Sequence, residues 1–313
     1  MQKRKNIRLL LSLIVMIILI FGFFVFNNNS KNYPSVDKQI FQITNLEKID
    51  RIVLQSTKEK IELTFNGTKW VVNGTHEADR QMITVLFAAL KQVEAKRKVA
   101  SSIQDSVKTE ISKNGIKISC YEGAAFVKEF WSEGNQQKSE TYFQLGDGIP
   151  YLVTIPGYRV YVASVFEVPT NDWRDKRVFN FNWQNFKSLE AVFPTDPKQN
   201  FKVSFQNKFF GIEGISADTI KLNNFLDAVS LLRADRILTN EQGKIYDSLT
   251  SLSPIETITI QDIASRSYEL KIFPIQKGKP IVIAKTKDEI VELNSLALKE
   301  IFKRRDYFIS KEE

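Results

Sequence analysis

The sequence predicts an α+β protein: an N-terminal transmembrane helix followed by two tandem repeated domains, each a mostly antiparallel sheet with one main packed helix. Three observations predict it. Leu9 to Phe26 run without a charge behind Lys3, Arg4, Lys5 and Arg8. The stretch from Ala78 to Val99 aligns without gaps on Ala217 to Leu238. Strand-like alternation flanks both stretches in the same order.

Residues 1–8 read as a basic flank and residues 9–26 as the span. A helix of that length rises about 27 Å, close to the roughly 30 Å hydrocarbon thickness of a bilayer. The basic flank stays in the cytoplasm by the positive-inside rule, so the chain beyond the span is expected to be exported. A cleaved signal has a shorter apolar region, about 7–15 residues, and a small-residue cleavage site. Here the run ends in Phe23-Phe24-Val25-Phe26, and Asn27-Asn28-Asn29-Ser30 comes next. An uncleaved signal anchor is therefore expected, placing the chain in the inner (cytoplasmic) membrane with its C-terminal part periplasmic. Residues 27–45 are polar, carry Pro34, and read as a stalk.

The net charge of +8 points less to nucleic acid than it first suggests. Without the four basic residues of the flank, 40 Lys and Arg face 36 Asp and Glu. That is a mixed, solvated surface, and no nucleic-acid partner is expected.

The repeat sets the domains at 46–181 and 182–313. Identical pairs are Ala78/Ala217, Asp79/Asp218, Ala89/Ala228, Ala95/Ala234 and Arg97/Arg236. Apolar pairs such as Ile83/Leu222, Leu86/Phe225 and Leu90/Val229 recur at the three- and four-residue spacing of a helix with one buried face. Asp79 and Asp218 sit where N-caps would. A hairpin precedes each helix: Ile61 to Phe65 turns at Asn66-Gly67 into Trp70 to Val72, and Phe201 to Phe205 into Phe209-Phe210. A strand pair comes after each: Gly115 to Tyr121 with Phe126 to Trp131, and Glu256 to Gln261 with Tyr268 to Phe273. Both copies finish on an aromatic-basic run, Trp173 to Phe179 and Phe302 to Phe308.

This order resembles a bacterial family, domain of unknown function 4340, whose members often carry tandem copies behind an N-terminal membrane anchor. The residues that carry the resemblance are the Trp70 hairpin with Ala78-Asp79 and its helix, Tyr142 to Asp147 with Tyr151-Leu152-Val153 and Val160-Tyr161-Val162, and Asp172 to Arg177. It covers 46–181 well and 182–313 more weakly, since Ile283-Ala284-Lys285-Thr286 stands where the Leu145-Gly146-Asp147 step would be. The resemblance implies an accessory role outside the membrane, near ABC-type export or gliding systems, and supplies no catalytic residues.

Candidate chemistry is sparse. Cys120, the only cysteine, sits in an alternating strand and reads as structural; no disulfide can form within the chain. His76, the only histidine, reads as an exposed loop residue, and the second copy has Ile215 or Ser216 in its place. Gly146-Asp147-Gly148 precedes a strand rather than a helix, so it reads as a turn and not a phosphate loop. Asn66-Gly67-Thr68 and Asn73-Gly74-Thr75 also read as turns. No catalytic, metal or cofactor-binding residues are indicated, and no small-molecule substrate.

One segment stands out as a docking or inter-domain patch: Trp173, Arg174, Lys176 and Arg177. As a connector, its aromatics would pack at the junction while its cations stay wet. As a docking site, its Trp and Arg are the residue types that dominate interface energy. The function expected is non-catalytic: an accessory or assembly subunit of an envelope transport or gliding-type complex. Its partners would be inner-membrane lipid through residues 9–26 and an ABC-type transporter or other envelope proteins. An alternative is an extracytoplasmic binding module for glycan, lipid or peptide; a third is an envelope enzyme.

Overall fold

Hydrophobic alternation sorts the chain into two antiparallel sheets, each with helices on its faces. The computed structural model describes residues 36–310 except 182, 207, 208, 277 and 279, together with residues 14–17 and 20. The expected basic flank and most of the expected span lie outside the described residues. Residues 14–17 and 20 are helical. No helix among the described residues is long and apolar enough to cross a membrane.

The first unit runs β1 (Arg51–Gln55), β2 (Lys60–Phe65), β3 (Trp70–Val72), β4 (His76–Glu77), α1 (Arg80–Gln92), β5 (Glu94–Lys98), α2 (Ser101–Asn114), β6 (Ile116–Glu122), β7 (Ala125–Gly134), β8 (Thr141–Gln144) and β9 (Tyr151–Thr154). The second runs β10 (Phe186–Val192), β11 (Phe201–Gln206), β12 (Phe209–Ile212), α3 (Thr219–Ser230), β13 (Arg236–Ile237), α4 (Asn240–Gly243), α5 (Asp247–Thr250), β14 (Glu256–Asp262), β15 (Ser267–Ile272), β16 (Ile281–Thr286), β17 (Ile290–Asn294) and α6 (Ser295–Ile301). The sheet orders are β4-β3-β2-β1-β6-β7-β8-β9-β5 and β12-β11-β10-β14-β15-β16-β17-β13. Apart from β4, the two correspond strand for strand.

Registers correspond as well. Leu63 faces Val72 and Ile52 in the first sheet, as Val203 faces Ile212 and Leu189 in the second. Asp79 caps α1 by accepting from the amides of Gln81 and Met82; Asp218 caps α3 by accepting from those of Ile220 and Lys221. The helices bury Ile83, Leu86, Ala89 and Leu90, and Leu222, Phe225, Leu226 and Val229, on the faces the spacing predicted.

Three expectations need correction. The first unit has two full helices, not one. α2 buries only Val107 and Ile111, so its sequence carries little helical periodicity. It packs with Tyr142, Leu152 and half-buried Trp131, which alternate along their strands with Phe143, Val153 and Phe130 of the main core. α2 therefore lies on the sheet face opposite α1. In the second unit, Leu249 of α5 with Phe273 and Ile283 forms the matching minor core.

The stalk expected over 27–45 does not extend to residue 45. Phe41 and Ile43 are buried in the first core, and the Lys128 ammonium donates to the carbonyls of Ile40 and Gln42 at 2.9 and 2.8 Å. Isolated apolar residues in a polar stretch gave no periodic signal.

The aromatic-basic run also divides differently. The Asp79 amide donates to the Trp173 carbonyl and the Asp218 amide to that of Phe308, each at 2.8 Å, so Trp173 matches Phe308 and not Phe302. The Ala95 amide donates to Lys38 O and the Ala234 amide to Lys176 O, at 3.0 and 2.8 Å. Trp173 thus closes the first unit, while Lys176 to Phe179 opens the second as Lys38 to Phe41 opens the first. Phe41 and Phe179 are buried in their respective cores. The boundary falls at Arg174–Asp175, several residues before 181, and no linker separates the units.

Candidate functional site

Because one short segment ends the first unit and begins the second, side chains from both meet around it. Trp173 itself is inside: it is fully buried in the first core, and its indole N–H donates to Val168 O at 3.0 Å. The next residue, expected to be wet as part of a connector, is buried. Arg174 Nη2 donates to both carboxylate oxygens of Glu289, and its Nη1 reaches Asn171 Oδ1 at 3.4 Å. A buried guanidinium needs such a counter-charge, since desolvating it unpaired is costly. Lys176 donates to Asp172 Oδ1 at 2.6 Å and to Asp235 O at 3.1 Å. Of the four residues predicted as a patch, Trp173 lies inside, while Lys176, Arg177 and the largely buried Arg174 line the groove.

The rest of the seam is also ionic. Arg233 of the second unit pairs with the N-cap carboxylate of Asp79 and approaches Asp175 at 3.7 Å. Arg177 pairs with Asp175 and, at 3.2 Å, with Glu77. Lys69 and Asn180 donate to the other oxygen of Glu77, at 2.7 and 3.3 Å. Partial burial pushes the Glu77 carboxyl up. The hydrogen bonds from Lys69 and Asn180, with the charges of Lys69 and Arg177, outweigh that and hold it below the ordinary value. Asn171 Nδ2 adds a hydrogen bond to Ile237 O at 3.1 Å.

Two adjoining cavities of about 470 and 580 Å³ make a groove over this network, and they share Lys69, Glu77, Arg177, Asn180 and Tyr268. β4 and the β2–β3 hairpin form one bank; the β14–β15 and β16–β17 turns form the other. Phe181, Trp183 and Tyr268 supply an aromatic wall, with Phe181–Trp183 centroids at 4.8 Å and Phe181–Tyr268 at 5.7 Å. Most lining cations already hold carboxylates, so the groove offers polar and aromatic contact rather than a strong field of one sign.

His76 lies in this groove on β4, a two-residue strand and not a loop, though exposed as expected. Burial and the Arg174 charge lower its pKa, partly offset by Glu289, so it is neutral near pH 7. Among the described residues its side chain has no hydrogen-bond partner that would orient it as a base. Cys120 is fully buried and burial pushes its thiol up to about 12, which removes it as a nucleophile. No group of three or more His, Cys, Asp or Glu among the described residues is arranged to hold a metal.

Glu77, Glu289, Arg233 and two of the three wall aromatics, Trp183 and Tyr268, were not singled out from sequence. A signal existed for one of them. Arg233 stands at the repeat position of Glu94, a charge reversal that marks where the second unit meets the first. Glu289 lies in a β16–β17 turn and carries no comparable mark.

No protein-family model, curated protein or solved structure matches this chain.

Proposed function

We propose that this chain is a non-catalytic, membrane-anchored extracytoplasmic protein, built from a duplicated α+β unit, that docks a partner protein of an envelope complex along its inter-unit groove. The observation that carries this reading is the seam. Two units joined without a linker and clamped by Arg174–Glu289 and Arg233–Asp79 hold their groove in one shape, and a preorganised surface binds at lower entropic cost. The aromatic wall of Phe181, Trp183 and Tyr268 supplies the kind of residue that dominates interface energy. The resemblance to the tandem, anchored domain-of-unknown-function family and the charge-free run 9–26 support a partner in or beside the inner membrane. If residues 27–35 serve as the stalk, they could span at most about 3.3–3.6 Å each, which would keep the first unit near the bilayer.

In-cell photocrosslinking tests it. A photoreactive residue at Thr75, exposed in the groove, should capture a membrane or envelope protein, whereas one at Lys58, exposed and outside the groove lining, should not. Equal capture at both positions, or recovery of this chain alone, would mean that the groove docks no partner.

A further inference from the structure

The first unit has another concavity, away from the seam and on the sheet face that α2 covers. A cavity of about 520 Å³ opens between the Lys108–Ser112 turn of α2, strands β7 and β8, and the turn after β8. That lies within the range of small-molecule sites, about 300–1,000 Å³. Trp131 and Gln144 are register partners on adjacent strands, so both point to this face. Gln144 is 6 % exposed. Its Nε2 donates to Gly148 O at 3.1 Å, which fastens the turn. Its Oε1 is buried and has no hydrogen-bond partner among the described residues. Gly146, at φ +48, lets the turn fold back and presents exposed Asp147 at the rim. Lys108 stands on the α2 side, and neither it nor Asp147 is in an ion pair among the described residues.

The fold does not dictate these residues. In the second unit the corresponding register pair is Lys271 with Lys285. The same scaffold position carries an aromatic–amide pair in one unit and two cations in the other, so the Trp131–Gln144 pair is particular to the first unit.

We propose that this cavity binds a neutral saccharide, with a sugar ring against the Trp131 indole and its hydroxyls shared between Asp147 and Lys108. An indole face is electron-rich and attracts the electropositive C–H face of a sugar. One cation and one carboxylate at the rim balance, which favours an uncharged ligand.

The test is calorimetric titration of the full chain, held in a detergent without a sugar headgroup, with tri-N-acetylchitotriose and with cellotriose. Saturable binding of at least one is expected. Trp131→Ala and Asp147→Ala should each weaken it about tenfold, equivalent to about 1.4 kcal/mol, while Lys271→Ala leaves it unchanged. Should Trp131→Ala unfold because Trp131 also packs on Val107 and Ile111, Asp147→Ala on the exposed turn decides. No saturable heat from either sugar, or an affinity untouched by the folded variants, would overturn the site. Neither result bears on the seam.

Discussion

Arg174 places a single nitrogen, Nη2, 2.7 and 2.8 Å from the two carboxylate oxygens of Glu289, 115 residues further along the chain. The pair is lopsided. Arg174 is 8 % exposed, whereas the Glu289 side chain keeps 31 % of its surface in water.

That asymmetry gives the first prediction. Glu289→Ala strands a buried cation, a change that typically costs about 3–5 kcal/mol, and the partial exposure of Glu289 places it at the low end. Arg174→Met removes charge and keeps bulk, so it should cost less. Urea unfolding of the two variants and their double mutant measures this. Equal losses from both single variants would mean that the buried charge is not what sets the cost.

Asp79 and Asp218 are the same residue in the same cap, but only Asp79 also receives Arg233 from the other unit. Replacing an N-cap Asp by Ala usually costs about 0.5–2 kcal/mol. Asp79→Ala should reach the top of that range, because it also releases Arg233, and Asp218→Ala should be the smaller loss. Thermal melts settle the order. Limited proteolysis adds a sharper readout: loosening of the seam should expose the Asp175–Asn180 segment in Asp79→Ala and not in Asp218→Ala.

Cys120 gives a probe that disturbs nothing. It is fully buried between β1 and β7, and its thiol is pushed up to about 12. A thiol reagent at pH 8 should leave the folded chain unmodified and label it only at the rate of unfolding. Fast labelling of the native protein would show that the first sheet opens locally.

Elements with a periodic face were legible in the sequence, down to the caps of α1 and α3. α2 was not, because two buried residues in a polar helix leave no stripe. Phe41 and Ile43 were missed for a related reason: their partners lie on strands far along the chain, and local pattern does not report that. The seam residues were half legible. Lys176 and Arg177 belong to a conspicuous run, but distant partners that define their role, Asp235 O for Lys176 and Glu77 for Arg177, become meaningful only once the two units abut. The Trp131–Gln144 pair illustrates the same limit, since its common face depends on a register that the sequence does not state.

The core contains a further departure between the copies, and it makes the chain sensitive to pH. Glu256 occupies the position of Ile116, facing Ile272 where Ile116 faces Ser132. It is fully buried, neither carboxylate oxygen has a hydrogen-bond partner among the described residues, and burial pushes its pKa up to about 9. The folded chain therefore keeps a proton that the unfolded chain releases above about 4.5. Between those values the folded state binds more protons than the unfolded one, so stability falls as pH rises, at most about 1.4 kcal/mol per pH unit. Glu256→Gln keeps the shape and abolishes the titration. Its advantage over the natural chain should be small at pH 5 and grow steadily to pH 8, read from urea midpoints across that range. Glu256→Ile, which restores the residue of the first unit, should show the same flat profile. Parallel pH profiles for all three chains would mean that Glu256 ionises at its ordinary value and that its surroundings admit water.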